Sequence, residues 1–425
     1  MTTQSKKSAN FEKNSVILFA LMMVANVLNY LFQVIVAKML PSVADFGVVN
    51  VLISVYAILG IPNTVMILVV AKYISAETAV GEKNFLTSVM RYLQKSILVI
   101  SIVMMGVGIV ISPILKNILQ LEYKHYIYGV FLASIILLLS SIYVGIFQGR
   151  QDFFRYGIQN VLNIGAKFGF SVVLIWIGCG IDGVLLALIF GALFVLIYSA
   201  RKNINQIQGE RQLLDRQDKD RLWKYIIEVL VLQIGLTIIG NGDVVLVKGF
   251  FGAEETGIYS VASVISKIAT YVSLAIVATL FPIVAEKYRQ KKSVLPILGK
   301  SFIYICGSAV GCAVVIMLMR QWIVDLLFGS EYARAVDYIP TVCFYVIALT
   351  LLIWVVNFSM AMGNGKNAPI ILACGCVGCA ICAYLYHDSL KQMMVGMALA
   401  FFAACIAILI DILICNRRNT YDKID

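Results

Sequence analysis

Long apolar stretches alternate with short polar connections along almost the whole chain. They lie at approximately 15–37, 47–71, 94–114, 126–148, 157–178, 181–199, 224–247, 257–284, 299–319, 339–362, 368–385 and 393–415. Each is near the roughly 20 residues an α-helix needs to cross about 30 Å of hydrocarbon. The pattern predicts twelve transmembrane helices and an all-α integral membrane protein. Gly178, Cys179 and Gly180 mark one tight connection, and Pro340 and Pro369 mark helix starts.

Polar side chains interrupt these runs with helical periodicity. On the first helix Asn26, Asn29 and Gln33 recur at i, i+3, i+7, and on the seventh Gln233, Thr237 and Asn241 recur at i, i+4, i+8, followed by Asp243. The eighth carries Ser260, Ser263, Lys267 and Thr270, and the second carries Asn50 and Ser54. A polar group at membrane depth needs a partner or water, so these stripes predict a polar seam where helices 1, 2, 7 and 8 meet. For any one amide or hydroxyl, simple helix-to-helix hydrogen bonding is the plainer reading. Lys267 stands apart. It lies about 15 Å from the nearest helix end, too deep to snorkel fully, and its charge there costs about 2.5 kcal/mol or more. It is either paired, with Asp243 as the partner, or it faces an aqueous cavity. Lys167, flanked by Asn160, Asn163 and Gly165, follows the same logic. Asp411, near Arg417 and Arg418, reads as an interfacial ion pair, and Arg91 and Lys95 face headgroups or a cavity mouth.

Composition agrees with the membrane assignment. The chain is 61% hydrophobic and 13% charged, with mean hydropathy +0.90, which excludes a soluble core under a polar surface. Basic residues set the orientation: seven lie between Arg201 and Lys224 and five between Lys287 and Lys300, whereas the opposite face shows Glu254, Glu255, Asp325, Glu331 and Asp337. With an even number of spans, both termini are expected in the cytoplasm and the protein in the cytoplasmic membrane. The net charge of +11 then reflects topology and anionic headgroups. Nucleic acid is not an expected partner, because no soluble basic domain carries the charge. The charged start with Lys6, Lys7 and Lys13 is read as a retained first helix rather than a cleaved signal.

Ten cysteines include Cys374, Cys376, Cys379 and Cys382 in one run. Gly375, Gly378, Ala380 and Ala383 are interleaved with them, which reads as close helix packing rather than metal ligation. No metal and no cofactor are expected. His125 and His387 fall in predicted loops and suit neither catalysis nor ligation.

The two halves also echo each other. At an offset of 210, residues 34–58 and 244–268 share Val34/Val244, Lys38/Lys248, Gly47/Gly257, Val51/Val261 and Ile58/Ile268, and Gln33 falls opposite Asp243. The midpoint, near residue 212, lies in the longest polar stretch. Internal repeats of this kind mark secondary transporters whose substrate sits between two rocking halves. Two pseudo-symmetric six-helix lobes are therefore expected, 1–212 with helices 1–6, ending in a basic linker at about 200–223, and 213–425 with helices 7–12. They would enclose a central cavity lined by Lys267, Lys167, Asn26, Asn29, Gln33, Gln233, Asn241, Asp243 and Ser263. Cationic groups there suit an anionic ligand, and a diphosphate is the membrane-borne candidate.

Several stretches resemble a known family. Asn241-Gly242-Asp243 through Val247-Lys248, then Gly252 to Ser260, and Phe281-Pro282 look like the helix 7 to 8 signature of the polysaccharide and O-antigen repeat-unit flippases, which belong to the multidrug/oligosaccharidyl-lipid/polysaccharide exporter superfamily. Ala37 to Pro41 with Asp45-Phe46-Gly47, and Phe147 to Arg150 with Asp152-Phe153, are similar to its first hairpin and to the turn after helix 4. The resemblance implies two lobes around a cavity open to alternate sides. It also implies transfer of an undecaprenyl-diphosphate-linked oligosaccharide between leaflets for cell-surface polysaccharide synthesis, with a glycan polymerase, assembly proteins and membrane lipids as partners. Lys267 occupies a region where relatives carry cavity arginines. The lipid II flippases differ, since they add two further helices and place arginines on helix 1, where this chain has Asn26, Asn29 and Gln33.

An enzyme is not expected: there is no P-loop, no HExxH and no nucleophile-base pair. Movement would be alternating access, with a coupling ion that the residues do not identify. A drug/cation antiporter of the same superfamily and a non-transporting scaffold for glycan assembly are the alternatives.

Overall fold

The computed structural model describes residues 3–80, 83–203, 214–273, 284, 287, 288, 290, 292–362 and 367–421, with backbone alone at 3–16, 76–80, 83, 84 and 418–421. Phe281, Pro282 and the midpoint near residue 212 lie outside the described residues. Among those described, no strand occurs and nearly every residue is helical. Among the described residues eleven helices are long and apolar enough to cross a membrane, against the twelve expected. The seventh and eighth expected runs share one of them, Arg216–Ser273, whose 58 residues would span about 87 Å if straight, far more than one crossing. The run is not straight. Gly252 interrupts it at φ 82° and ψ −172°, a conformation open in practice only to glycine.

The chain divides into two compact units, Met1–Ile234 and Gly235–Asp425. In the first, α1 (Thr3–Met39), α2 (Val43–Leu59), α3 (Ile61–Val80), α4 (Lys83–Ile118), α5 (His125–Gly149), α6 (Phe153–Trp176) and α7 (Gly180–Asn203) precede the opening of α8 (Arg216–Ser266). The second expected run, 47–71, is split into α2 and α3 at Gly60. Pro62, which has no N–H to donate, sits just inside α3, so the helix restarts there. α4 starts well before the apolar run at 94–114, and its first turns carry Lys83, Arg91 and Lys95, which lower their average hydropathy.

The core of this unit joins α3, α4 and α5 to the start of α8 through Val65, Val69, Met90, Leu93, Ile142, Leu222 and Ile226. Lys72 lies 3.3 Å from the centre of the Tyr225 ring, and the Trp223 indole N–H donates to the Tyr92 hydroxyl at 2.8 Å. These aromatic contacts hold the beginning of α8 to the first unit. α6 packs against α1 and α7. Small residues allow close approach, between α6 and α1, where a Cβ at Gly157 would lie 2.5 Å from Leu21, and between α5 and α3, where one at Gly145 would lie 2.6 Å from Val70.

The second unit contains the rest of α8, then α9 (Leu295–Leu327), α10 (Ala335–Ala361), α11 (Asn367–Leu385) and α12 (Leu390–Tyr421). α10 is its most enclosed helix, with Trp354, Tyr345, Val355 and Leu352 all buried, and it packs against α9 and α12. The cysteine run lies on α11. Gly375 meets Ala404 of α12, where a Cβ would come within 2.9 Å, and Gly235 of α8 meets Leu372 of α11. No group of three metal-ligating side chains occurs among the described residues. Exposed apolar faces, including Ile102 and Val110 on α4 and Leu318 on α9, are the surfaces expected to meet lipid chains, and Trp176 at the end of α6 suits the interface.

Candidate functional site

Asp243 and Lys267 meet because Gly252 turns the chain back on itself. Asp243 lies before the break, whereas Tyr259, Ser263 and Lys267 follow it at i, i+4, i+8 and so share one face. The carboxylate Oδ2 pairs with Lys267 Nζ at 2.8 Å, accepts from the Tyr259 hydroxyl at 2.7 Å and accepts from Ser263 Oγ at 3.3 Å. Lys267 also donates to the Gly240 carbonyl at 3.0 Å. The Asp243 side chain has no exposure and Lys267 retains 17%. The other carboxylate oxygen, Oδ1, is buried with no hydrogen-bond partner. Of the two environments the sequence leaves open for Lys267, pairing with Asp243 is the one observed.

The helix changes at this lysine. Lys267 itself adopts a turn rather than α-helix, and its carbonyl accepts from both Thr270 and Tyr271. Beyond it, Thr270 shares a 2.8 Å hydrogen bond with Thr350 of α10.

Lys167 of α6 is held differently. Its Nζ donates to Asn29 Oδ1 of α1 at 2.8 Å and lies 4.2 Å from the centre of the Phe32 ring. No carboxylate pairs with it among the described residues. A neutral amide oxygen and an aromatic face stabilise an ammonium without neutralising it. This is the combination that leaves a cation available to an anionic ligand.

The remaining predicted residues divide into tied and untied groups. Asn241 donates to the Thr237 carbonyl one turn earlier at 3.1 Å. Asn50 and Ser54 on α2 likewise bond back to Phe46 and Asn50 of their own helix. Gln33 is half-buried and its Oε1 has no partner. Asn26 is exposed and Gln233 is half-buried, the latter falling in the first unit. Asp411 accepts from Asn367 at 2.8 Å; of the two arginines expected near it, the Arg418 side chain lies outside the described residues.

Tyr259 is the site residue that sequence reasoning missed. It shares the i, i+4, i+8 spacing with Ser263 and Lys267, but it reads as apolar unless the phenol is counted among polar groups. Lys248, repeated at the offset of Lys38, has its side chain almost fully buried.

The repeated motifs open helical segments: Asp45-Phe46-Gly47 lies in the first turns of α2, and Glu255-Thr256-Gly257 follows the Gly252 break in α8. Ser42 caps α2 by accepting from the Asp45 N–H at 3.1 Å, while its hydroxyl donates to the Asp45 carboxylate at 2.9 Å. In the second unit Glu254 and Glu255 both pair with Arg334, and Tyr338 donates to Glu255 at 3.1 Å. Asp152 caps α6 through the Arg155 N–H at 3.2 Å.

No curated protein matches the chain. Solved structures share its fold. The inward-facing conformation of a multidrug resistance MATE family transporter of the MOP superfamily is similar at TM-score 0.77 and 12% identity, covering 96% of this chain and 99% of that one. The outward-facing conformation of such a transporter gives 0.65 at 14% identity, covering 97% and 96%. A MOP superfamily transporter from Pyrococcus furiosus, described as having a binding pocket of reverse polarity that suggests a different function, gives 0.68 at 13% identity, covering 96% of each chain. Identities this low establish the fold alone: the chain shares the fold of those proteins, with eleven helices among the described residues long and apolar enough to cross a membrane. The profile of polysaccharide biosynthesis proteins matches residues 11–288. That is more than half of the 425 residues, and the chain belongs to the polysaccharide biosynthesis protein family.

Proposed function

We propose that the protein is a flippase for a lipid-linked oligosaccharide, moving an undecaprenyl-diphosphate-linked glycan unit across the cytoplasmic membrane by alternating access, with both termini in the cytoplasm. The family and the transporter fold support the class. The observation that carries the anionic substrate is Lys167, an ammonium on a membrane helix whose hydrogen-bond acceptor is the neutral Asn29 and which has no acid partner among the described residues. A lipid diphosphate supplies the missing negative charge through strong charge-assisted hydrogen bonds. Gln33, with an unpaired Oε1 on the same helix as Asn29, suits a sugar hydroxyl or a diphosphate-bound water. Lys167, Asn29 and Gln33 are thus the proposed substrate residues of the first unit, and Lys267, Asp243, Asn241 and Ser263 those of the second.

One observation favours a second reading. A fully buried carboxylate with an unpartnered oxygen, Asp243, is the group a drug/cation antiporter of the same fold would use for ion exchange. The two readings part in cells lacking the native gene. The flippase reading expects surface glycan to fall to background in Lys167→Ala at normal membrane abundance, with no change in resistance to cationic drugs. Lost drug resistance with intact surface glycan in Asp243→Asn would establish the antiporter instead. A scaffold would keep its glycan output in Lys167→Ala. Orientation is tested separately in a background free of native cysteines, where a cysteine placed at Gln212 should be labelled only after the cells are opened.

A further inference from the structure

A polar cavity of about 200 Å³ lies wholly within the first unit, among α3, α5, α6 and α7. Its lining contains no Asp, Glu, Lys, Arg or His. It does contain five amides, from Asn63, Gln148, Gln159, Asn160 and Asn163, and it also includes Tyr156. Three of these amides present buried carbonyl oxygens that have no hydrogen-bond partner: Asn63 Oδ1, Gln148 Oε1 and Gln159 Oε1. Asn63 is 8% exposed and Gln159 5%, so bulk solvent does not reach them freely. Their neighbours are locally satisfied: Ser140 donates to the Leu137 carbonyl at 2.6 Å, and Asn160 donates to the Tyr156 carbonyl at 3.1 Å.

Unpaired buried acceptors on side chains that line a hollow call for a ligand with several donors. An anion would face oxygen lone pairs. An apolar drug would leave all three oxygens desolvated. A bare cation would have no counter-charge in the lining, whereas a hydroxylated ring brings donors and acceptors together and matches amides, which offer both. Size narrows the choice further. The volume equals the liquid share of about seven water molecules and falls below the roughly 300–1,000 Å³ of pockets for drug-sized ligands.

We propose that this cavity binds one sugar ring, as a recognition subsite within the first unit. The choice of a sugar rests on the glycan reading of the function. Asn63, Gln148 and Gln159 accept from its hydroxyls, and Tyr156 offers a flat face to the ring.

The full chain, purified in detergent, is tested by thermal unfolding and saturation-transfer NMR with methyl glycosides at millimolar concentration, and in parallel with sodium against choline chloride. Methyl glycosides should raise the unfolding temperature and show saturation transfer, and Gln159→Leu should weaken that binding about tenfold, as for the loss of one hydrogen-bonding group. Because the Gln159 oxygen has no partner, Gln159→Leu should leave the unliganded unfolding temperature unchanged or higher. Asn63→Leu carries the same expectations if the first variant fails to fold. The subsite is overturned if no glycoside binds, if sodium rather than sugar gives an effect that the variants lose, or if both variants unfold at lower temperature without ligand. If glycosides fail to bind while Lys167→Ala still abolishes glycan export, the subsite falls and the flippase reading stands. If glycosides bind while Lys167→Ala exports normally, the reverse holds.

Discussion

Lys267→Ala removes the positive charge paired with Asp243, whose carboxylate has no exposure and whose Oδ1 already lacks a partner. Breaking a buried ion pair from one side costs about 3–5 kcal/mol, because the remaining charge is left uncompensated. The residual exposure of Lys267, 17%, gives solvent some access and places the expectation toward the lower end, about 3 kcal/mol. Tyr259 and Ser263 still donate to Asp243, so the carboxylate is not stranded entirely. Replacing both partners should behave otherwise. Asp243→Asn combined with Lys267→Ala removes both charges, so that no buried charge is left uncompensated. The assay is detergent-solubilised unfolding of the two single variants and the double, analysed as a cycle. The single Lys267→Ala should unfold several degrees below the parent, and the double variant should recover most of that loss. The coupling should exceed about 1 kcal/mol, as expected for residues in direct contact. Equal unfolding of Lys267→Ala and the parent would refute the buried pair. The double variant also separates structure from transport. If it folds and exports glycan normally, Lys267 is a structural partner of Asp243 and not a substrate residue.

Gly252→Ala places a Cβ on a backbone at φ 82° and ψ −172°, so it should cost about 1–3 kcal/mol; a drop in folded yield and unfolding temperature checks this, and an unchanged protein would contradict it. Arg334→Ala loses pairs with Glu254 and Glu255, but the arginine side chain is 55% exposed and Glu254 70%. Its effect on unfolding should stay within about 1 kcal/mol and shrink further at high salt. Cys376→Ala with Cys379→Ala should leave surface glycan unchanged, and a chelator should have no effect on the parent; loss of export in either case would revive a metal role for the α11 cysteines.

The membrane-spanning order was legible because hydrocarbon forces long apolar helices on any chain that crosses it. What hydropathy missed lies where local backbone chemistry outweighs average polarity. Pro62 divides one apolar run into α2 and α3, and the basic opening of α4 extends it beyond its apolar window. The pairing of Lys267 with Asp243 was readable as an alternative, because an intramembrane lysine needs a counter-charge and Asp243 is an acid inside the preceding apolar run, whereas Glu254 and Glu255 fall in the connection. Tyr259 was not read as part of that cluster, since its ring counts as apolar in any hydropathy sum. The amides of the first-unit cavity escaped for another reason. Asn63, Gln148 and Gln159 sit on three different helices, so no single stripe betrays them. The motifs that carry the family resemblance have visible structural work at Ser42, Asp152 and Gly252, in caps and a turn. They identify the fold more strongly than the substrate.

The central claim is that Lys167 binds the diphosphate of a glycolipid. It is tested most directly by reconstituting the purified protein into vesicles and following the passage of a fluorescent polyprenyl-diphosphate-linked sugar between leaflets. The parent and Lys167→Arg should move it, Lys167→Ala should not, and free diphosphate should inhibit the parent. Passage by Lys167→Ala at the parental rate would contradict the claim.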